Sequence, residues 1–174
     1  LKGKKLFLHF EAIMGKSKIY VNGKLLAEHF GGYLPVVVDV TDALEFGKEN
    51  LITVWADNSN DPNYPPGKQQ EVLDFTYFGG IYRDCWLIAH NQVFITDPNY
   101  ENEEAGGGLF VAYNNVSDHS AEVLLKIQIR NSGRKAFKGV VEYELQQPDG
   151  QQVASLNSVI RIKPGKSTYS SDKL

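Results

Sequence analysis

The sequence predicts an all-β protein built from two consecutive β-sandwich units. Three observations carry this. Short apolar runs recur along the chain and are separated by Gly, Pro, Asn and Asp, the spacing of sandwiches and barrels. Helix-period patterning is nearly absent. An acidic, glycine-rich stretch between Gln92 and Gly108 divides two differently patterned halves, giving units over 1–92 and 93–174. The 174 residues, 42% hydrophobic and 11% aromatic, suffice to bury a core.

The elements follow in order. The opening "LKGKKLFLHFEAIMG" already reads as strand. "KIYVNGKLLAE" is a hairpin: Asn22-Gly23 supplies the two left-handed positions of a type I′ turn between Ile19–Val21 and Leu25–Ala27. "YLPVVVDV" is a further strand, with Pro35 suited to its start or to an edge. In "TDALEFGKEN", Thr41 or Asp42 can cap a single helical turn that ends at Gly47. "NLITVWADN" is apolar on both faces, the mark of a central strand. The loop "NSNDPNYPPGKQQ", from Asn58 to Gln70, is dense in turn formers and long enough to suggest a functional role. In "GGIYRDCW" the glycine pair permits a bend or a close backbone approach before a strand over Ile81–Ile88, with Trp86 expected in the core. "ENEEAGGG" reads as a solvated surface connection, its Glu101, Glu103 and Glu104 facing water.

In the second half, "AEVLLKIQIRN" places Ala121, Val123, Leu125, Ile127 and Ile129 on one face. Glu122, Lys126, Gln128 and Arg130 lie on the other, with Leu124 the exception. "VVEYELQQPDGQQVASL" is a hairpin turning at Pro148-Asp149-Gly150, and "VIRIKPGKSTY" adds a strand and turn. This half reads as an immunoglobulin-like sandwich with about five strands, short of the roughly seven that such a sandwich needs. The expectation is therefore a fragment, incomplete at both ends.

Several functions are excluded or disfavoured. Net charge is −3 and the pI about 5.8, with no basic, aromatic-interleaved stripe for nucleic acid. No apolar run reaches a membrane span, and no leader is visible. The single cysteine, Cys85, makes no internal disulfide and reads as a small buried hydrophobe, so periplasmic, secreted and cytoplasmic locations stay open. His9, His29, His90 and His119 have no ligand spacing. "DNSND" at Asp57–Asp61 imitates the start of a calcium loop but carries Pro62 and Lys68 where glycine and glutamate are needed. Asn115-Val116-Ser117 is an isolated glycosylation sequon.

The order of several motifs carries a resemblance. "FGGIYRDCWLI" is similar to the segment that closes the sugar-binding domain of glycoside hydrolase family 2. "IYVNGKLLAEHFGGYLPVVVDVTDAL", "GKENLITVWADNSN" and "DFTYFGGIYRD" precede it in that family's order. "VFITDPNY…LFVAYNNVSDHSAEVLLKIQIRN" resembles the start of its immunoglobulin-like domain. The resemblance covers nearly the whole chain. It implies a galactose-binding-like jelly roll, N-terminally incomplete, followed by an immunoglobulin-like sandwich, C-terminally incomplete. In the family a (β/α)₈ barrel with two catalytic glutamates comes next. That barrel and its Asn-Glu-Pro motif are absent here, so no catalytic residue and no metal site is assigned to this chain.

Within the family the loop and "LDFTYFGGIYRD" look most like β-galactosidases, and less like β-glucuronidases or β-mannosidases. The resemblance implies that Asn22 and Asp74 approach the bound sugar. It also implies that Asp74 helps to hold a monovalent or divalent cation in the intact enzyme. The partners implied are a β-galactoside, the catalytic barrel of the same polypeptide and a second copy of the protein. Each residue has a plainer role beside this: Asn22 as a turn residue, Asp74 as a cap near the glycine bend. Two further hypotheses stand beside this one. One is an independent glycan-binding module using Tyr33, Tyr64, Tyr77 and Trp86 as stacking rings. The other is a purely structural pair of sandwiches.

Overall fold

A computed structural model describes residues 1–76 and 78–174. It is nearly all β and divides into two compact units, Leu1–His90 and Asn91–Leu174.

In the first unit the strands are β1 (Lys5–Phe10), β2 (Ile13–Met14), β3 (Lys16–Val21), β4 (Lys24–Phe30), β5 (Val36–Asp39), β6 (Ile52–Asp57), β7 (Gly80–Ile81) and β8 (Cys85–His90). They form two antiparallel three-stranded sheets, β5-β1-β8 and β4-β3-β6, and a short β2-β7 pair. The alternation of "KLFLHF" and "KSKIYV" sends Leu6, Leu8 and Phe10 of β1 and Ile19 and Val21 of β3 into one core with Ile13, Val36, Val38 and Val40. Each such side chain contributes about 1.5–3 kcal/mol on burial. The unit is a jelly-roll-type sandwich.

The Asn22-Gly23 turn has φ of 50° and 79°, the left-handed pair that a type I′ hairpin needs. After Asp39 the chain makes the one turn expected, in which Leu44 N–H donates to Val40 O at 3.2 Å; Glu45 N–H then turns to Asn50 Oδ1 and ends it. Other elements differ from expectation. Asp39, not Thr41 or Asp42, does the capping, accepting from Thr41 N–H and hydroxyl. Strand β6 is not central but an edge, paired among the described residues only with β3, and Trp55 and Ile52 are exposed. The strand expected over Ile81–Ile88 is broken in two: β7 pairs with β2 and β8 with β1. Between them Tyr82 donates its hydroxyl to Gly32 O at 2.6 Å, and Asp84 O accepts from Glu11 N–H. Arg83 lies 5.2 Å over the Tyr82 ring. Trp86 is not core. It is 52% exposed on edge strand β8, with its indole N–H satisfied by Glu11 at 3.0 Å. Cys85 is exposed on the same strand. Partial burial of its sulfur pushes the thiol pKa up, the opposite of an activated nucleophile.

The second unit contains β9 (Val93–Ile95), a one-turn helix α1 (Pro98–Glu101), β10 (Leu109–Asn114), β11 (Glu122–Asn131), β12 (Phe137–Gln146), β13 (Gln152–Ile162) and β14 (Lys166–Lys173). Strands β9, β10 and β14 all pair with β11, and β12-β13 is a separate hairpin sheet. The hairpin turns through Asp149-Gly150, with Asp149 Oδ1 accepting from Gln151 N–H. Val123, Leu125, Ile127 and Ile129 of β11 meet Tyr143, Ile160 and Ile162 in the core, an immunoglobulin-like arrangement. An apolar cleft of about 640 Å³ remains open there, lined among others by Leu109, Val111, Tyr113, Val140 and Leu145.

The "ENEEAGGG" stretch is packed in part: Glu103 and Glu104 are exposed, as expected, but Glu101 and the three glycines are not. Asp97 caps α1 through Asn99 and Tyr100 N–H. The Glu101 carboxylate, 4% exposed, meets Arg130 at 2.6 Å, and burial pushes its pKa up. Glu103 accepts from Gln128 and from the Tyr169 hydroxyl. Gln128, expected on the outer face, is buried beneath this segment and accepts from Thr96, whereas Ala121 is exposed.

Candidate functional site

The sequence marks the segment after β6 as functional, and the structure shows how it is held. Strand β3 is the middle strand of its sheet; its residue Lys16 pairs with Phe30 on one side and Asp57 on the other. Just before it, Gly15 has φ of +97°, and a Cβ there would lie 1.9 Å from Asp57 O. Only glycine allows the β2–β3 bend to pass so close to the end of β6. From that anchor the loop folds on itself. Asp57 accepts from Ser59 N–H at 2.9 Å, and Ser59 holds its carboxyl below the usual range. Asp61 accepts from both the backbone and the side chain of Asn63. Tyr64 donates its hydroxyl to Ser59 O at 3.0 Å.

After a 3-10 turn over Gln70–Val72 the chain reaches Asp74. Asp74 is exposed and lines an open cavity of about 640 Å³ with Tyr33, Pro66, Lys68, Leu73 and Phe75. Among the described residues neither Asp74 nor Lys68 forms a hydrogen bond or an ion pair. Exposed Val72 and Phe75 line the same cavity. On the far side of the loop, Gly79 packs where a Cβ would meet Asn58. A carboxylate, an ammonium and a ring around one cavity suit a polyol: the carboxylate accepts from paired hydroxyls, the ammonium donates to oxygens, and the ring packs on a C–H face.

Asn22 lies elsewhere. It follows Val21 at one end of β3, and the Asp74 loop is anchored at the Lys16 end. Six strand residues separate the two ends by about 20 Å. Both amide hydrogens of Asn22 are engaged, by Ala43 O at 3.0 Å and Asn50 Oδ1 at 2.8 Å. Its Oδ1 accepts from Leu51 N–H at 2.9 Å. The side chain braces the 43–51 loop, and Asn22 is not among the residues that line the Asp74 cavity.

The described candidate stacking rings are not gathered at one place either. Tyr33 borders the cavity, Tyr64 lies 5.3 Å beneath the Lys16 ammonium, and Trp86 is on β8 in the other sheet. Tyr77 lies outside the described residues. No group of three or more His, Cys, Asp or Glu that could hold a metal ion is present among the described residues. Asp74 supplies one hard oxygen donor, and Lys68 in the same lining opposes a cation there. The residues present therefore do not by themselves fit a cation site.

Sequence reasoning missed Gly15, Lys16 and Lys68. The signal was available only in part: a glycine before an alternating strand marks a bend, but its contact with Asp57 is long-range.

Residues 1–91 match the family model described as glycosyl hydrolases family 2, sugar binding domain. A β-galactosidase of Thermoanaerobacter pseudethanolicus is 32% identical over 161 residues, covering 92% of this chain and 20% of that protein. A β-glucuronidase of Bacteroides fragilis is also 32% identical, over 156 residues, covering 87% of this chain and 20% of that protein. Among solved structures, Bacteroides uniformis β-glucuronidase 2, covalently bound to cyclophellitol-6-carboxylate aziridine, superposes with a TM-score of 0.86 at 28% identity. The match covers 99% of this chain and 20% of that one. The chain thus spans about a fifth of the length of the curated relatives it matches.

Proposed function

The chain belongs to glycoside hydrolase family 2, and from that membership we propose that it is the non-catalytic, substrate-supporting part of a retaining β-galactosidase acting on terminal, non-reducing β-D-galactose. The observation that carries the reading is Asp74: an exposed carboxylate facing a cavity beside Lys68 and Tyr33, on a braced loop.

In this reading the catalytic barrel of the same polypeptide supplies the acid/base and nucleophile pair, which a retaining enzyme holds about 5–5.5 Å apart. The present chain supplies the wall. Asp74 accepts from two hydroxyls of the terminal sugar, an interaction that strengthens when water is excluded. The Asp74 carboxylate favours a neutral sugar over a uronate, whose own charge it repels. Exposed Val72, Phe75 and Phe78 suit burial against the barrel rim, and free strand edges such as that of β10 suit contacts with a second copy. One observation favours a second reading: the Lys68 ammonium in the same lining can balance a sugar carboxylate, which would make the substrate a β-glucuronide.

The test is hydrolysis of nitrophenyl β-galactoside and nitrophenyl β-glucuronide by the longer polypeptide that carries this chain. Preference for the galactoside is expected. Preference for the glucuronide would replace the galactosidase reading with the second one.

A further inference from the structure

Building on the reading of Asp74 as a substrate-facing carboxylate, we propose that Lys16 is a positioning residue: through Asp61 and Tyr64 it fastens the loop over 58–76 to the middle strand of its sheet and so fixes Asp74 at the cavity.

Lys16 is suited to this by its place in the fold. Its backbone is paired on both sides, so the base of the side chain cannot drift. From there Nζ reaches Asp61 Oδ2 at 2.6 Å, with the two side chains 30% and 18% exposed. The same ammonium lies 5.3 Å over the Tyr64 ring. A single cation therefore holds two points of the loop, one by charge and one by cation–π attraction. The pair favours both charged forms: the hydrogen bond from Lys16 holds Asp61 below the ordinary carboxylate range, and Asp61 raises Lys16. The next outward lysine on the strand, Lys18, pairs instead with Glu28 of β4 and leaves the loop alone.

The attachment is contiguous with the cavity. A small space beside the ion pair is bordered by Gly15, Asn58, Asp61, Tyr64, Pro66 and Lys68. Pro66 and Lys68 also line the cavity of Asp74. A shift at the Lys16 end thus reaches the Asp74 lining through two shared residues, without a long relay.

Two variants test this: Lys16→Met, which keeps the stem and removes the charge, and Lys16→Arg, which keeps the charge. The first readout is the rate of tryptic cleavage after Lys68, which reports local opening of the loop. Lys16→Met should raise that rate about five- to ten-fold, from loss of the ion pair and the cation–π contact together. Cleavage after Lys24 and Lys48 should stay unchanged, and Lys16→Arg should restore most of the protection. Unchanged cleavage after Lys68, or an equal rise at all three sites, overturns the proposal.

The second readout is kcat/KM of the longer polypeptide with nitrophenyl β-galactoside. Lys16→Met should lower it several-fold in the parent but not in an Asp74→Ala background, because residues acting as one unit are non-additive. An equal loss in both backgrounds overturns the positioning role. If Asp74→Ala itself has no effect, the reading of Asp74 fails, and the proteolysis still decides whether Lys16 holds the loop.

Discussion

Replacing Gly15 by alanine probes the closest backbone approach to any glycine of the first unit, and the structure gives both components of its cost. The first is conformational: at φ of +97° an L side chain is strained by about 1–2 kcal/mol. The second is steric. The new Cβ would meet Asp57 O at 1.9 Å and Asp57 C at 2.7 Å, and both are backbone atoms that no rotamer change can move. Relief requires separating the β2–β3 bend from the end of β6, where Lys16 pairs with Asp57. Overpacking of this kind costs about 1–3 kcal/mol more, for a total of about 2–5 kcal/mol. A unit of this size loses about 4–8 °C of Tm per kcal/mol, so a fall of at least 8 °C, and as much as about 40 °C, is expected.

Gly47→Ala is the control. Gly47 also has a left-handed backbone, φ +81°, but nothing lies within 4 Å of its missing Cβ, so only the first component applies. The assay is thermal and urea unfolding followed by tryptophan fluorescence. Both tryptophans, Trp55 and Trp86, belong to the first unit, so the signal reports that unit alone. If the two variants were equally stable, the close approach at Gly15 would be refuted.

Three further outcomes follow from the same structure. Asn22→Ala removes three side-chain hydrogen bonds to the 43–51 loop and should destabilise the first unit by about 1–3 kcal/mol in the same unfolding assay, while leaving KM of the longer polypeptide unchanged. Burial lowers the His29 pKa, so the folded unit holds fewer protons there than the unfolded chain. Stability should therefore be full above about pH 6.5 and fall as the pH drops below it, a step that a His29→Gln variant should lack in urea midpoints taken from pH 8 to pH 5. Burial pushes Asp39 up, but the ammonium of Lys5 and the donors of Thr41 outweigh it and hold its pKa low. A second loss should accordingly appear as the pH falls below the ordinary aspartate range, and Lys5→Met should reduce it.

What the sequence revealed depended on how local the cause was. Asn22-Gly23 is a turn because two adjacent residues tolerate left-handed backbone, and the turn forms as expected. The face of Val123, Leu125, Ile127 and Ile129 was legible because strand alternation is a property of the strand alone. Trp86 was not legible: its hydrophobicity suggests a core position, but exposure depends on which strands flank β8, and β8 is an edge. Gln128 failed in the opposite sense, since a polar residue was buried by a segment far away in sequence that supplies Thr96 and Glu103 as partners. The site divides in the same way. Asp74 was suggested by a motif resemblance and does face a cavity. Asn22 was suggested by the same resemblance, but its side chain is engaged by a loop that the sequence could not bring to it. Lys16 carried no motif at all, because its role comes from an ion pair across the sheet end.

The most direct measurement of the central claim is kcat/KM for nitrophenyl β-galactoside by the longer polypeptide, with wild type, Asp74→Asn and Asn22→Ala assayed together. Asp74→Asn keeps the shape and removes the charge that accepts from the sugar. A loss of about a hundredfold or more is expected from two charge-assisted hydrogen bonds, with Asn22→Ala close to wild type. Full activity in Asp74→Asn would contradict the claim and leave this chain a scaffold without a share in the substrate site.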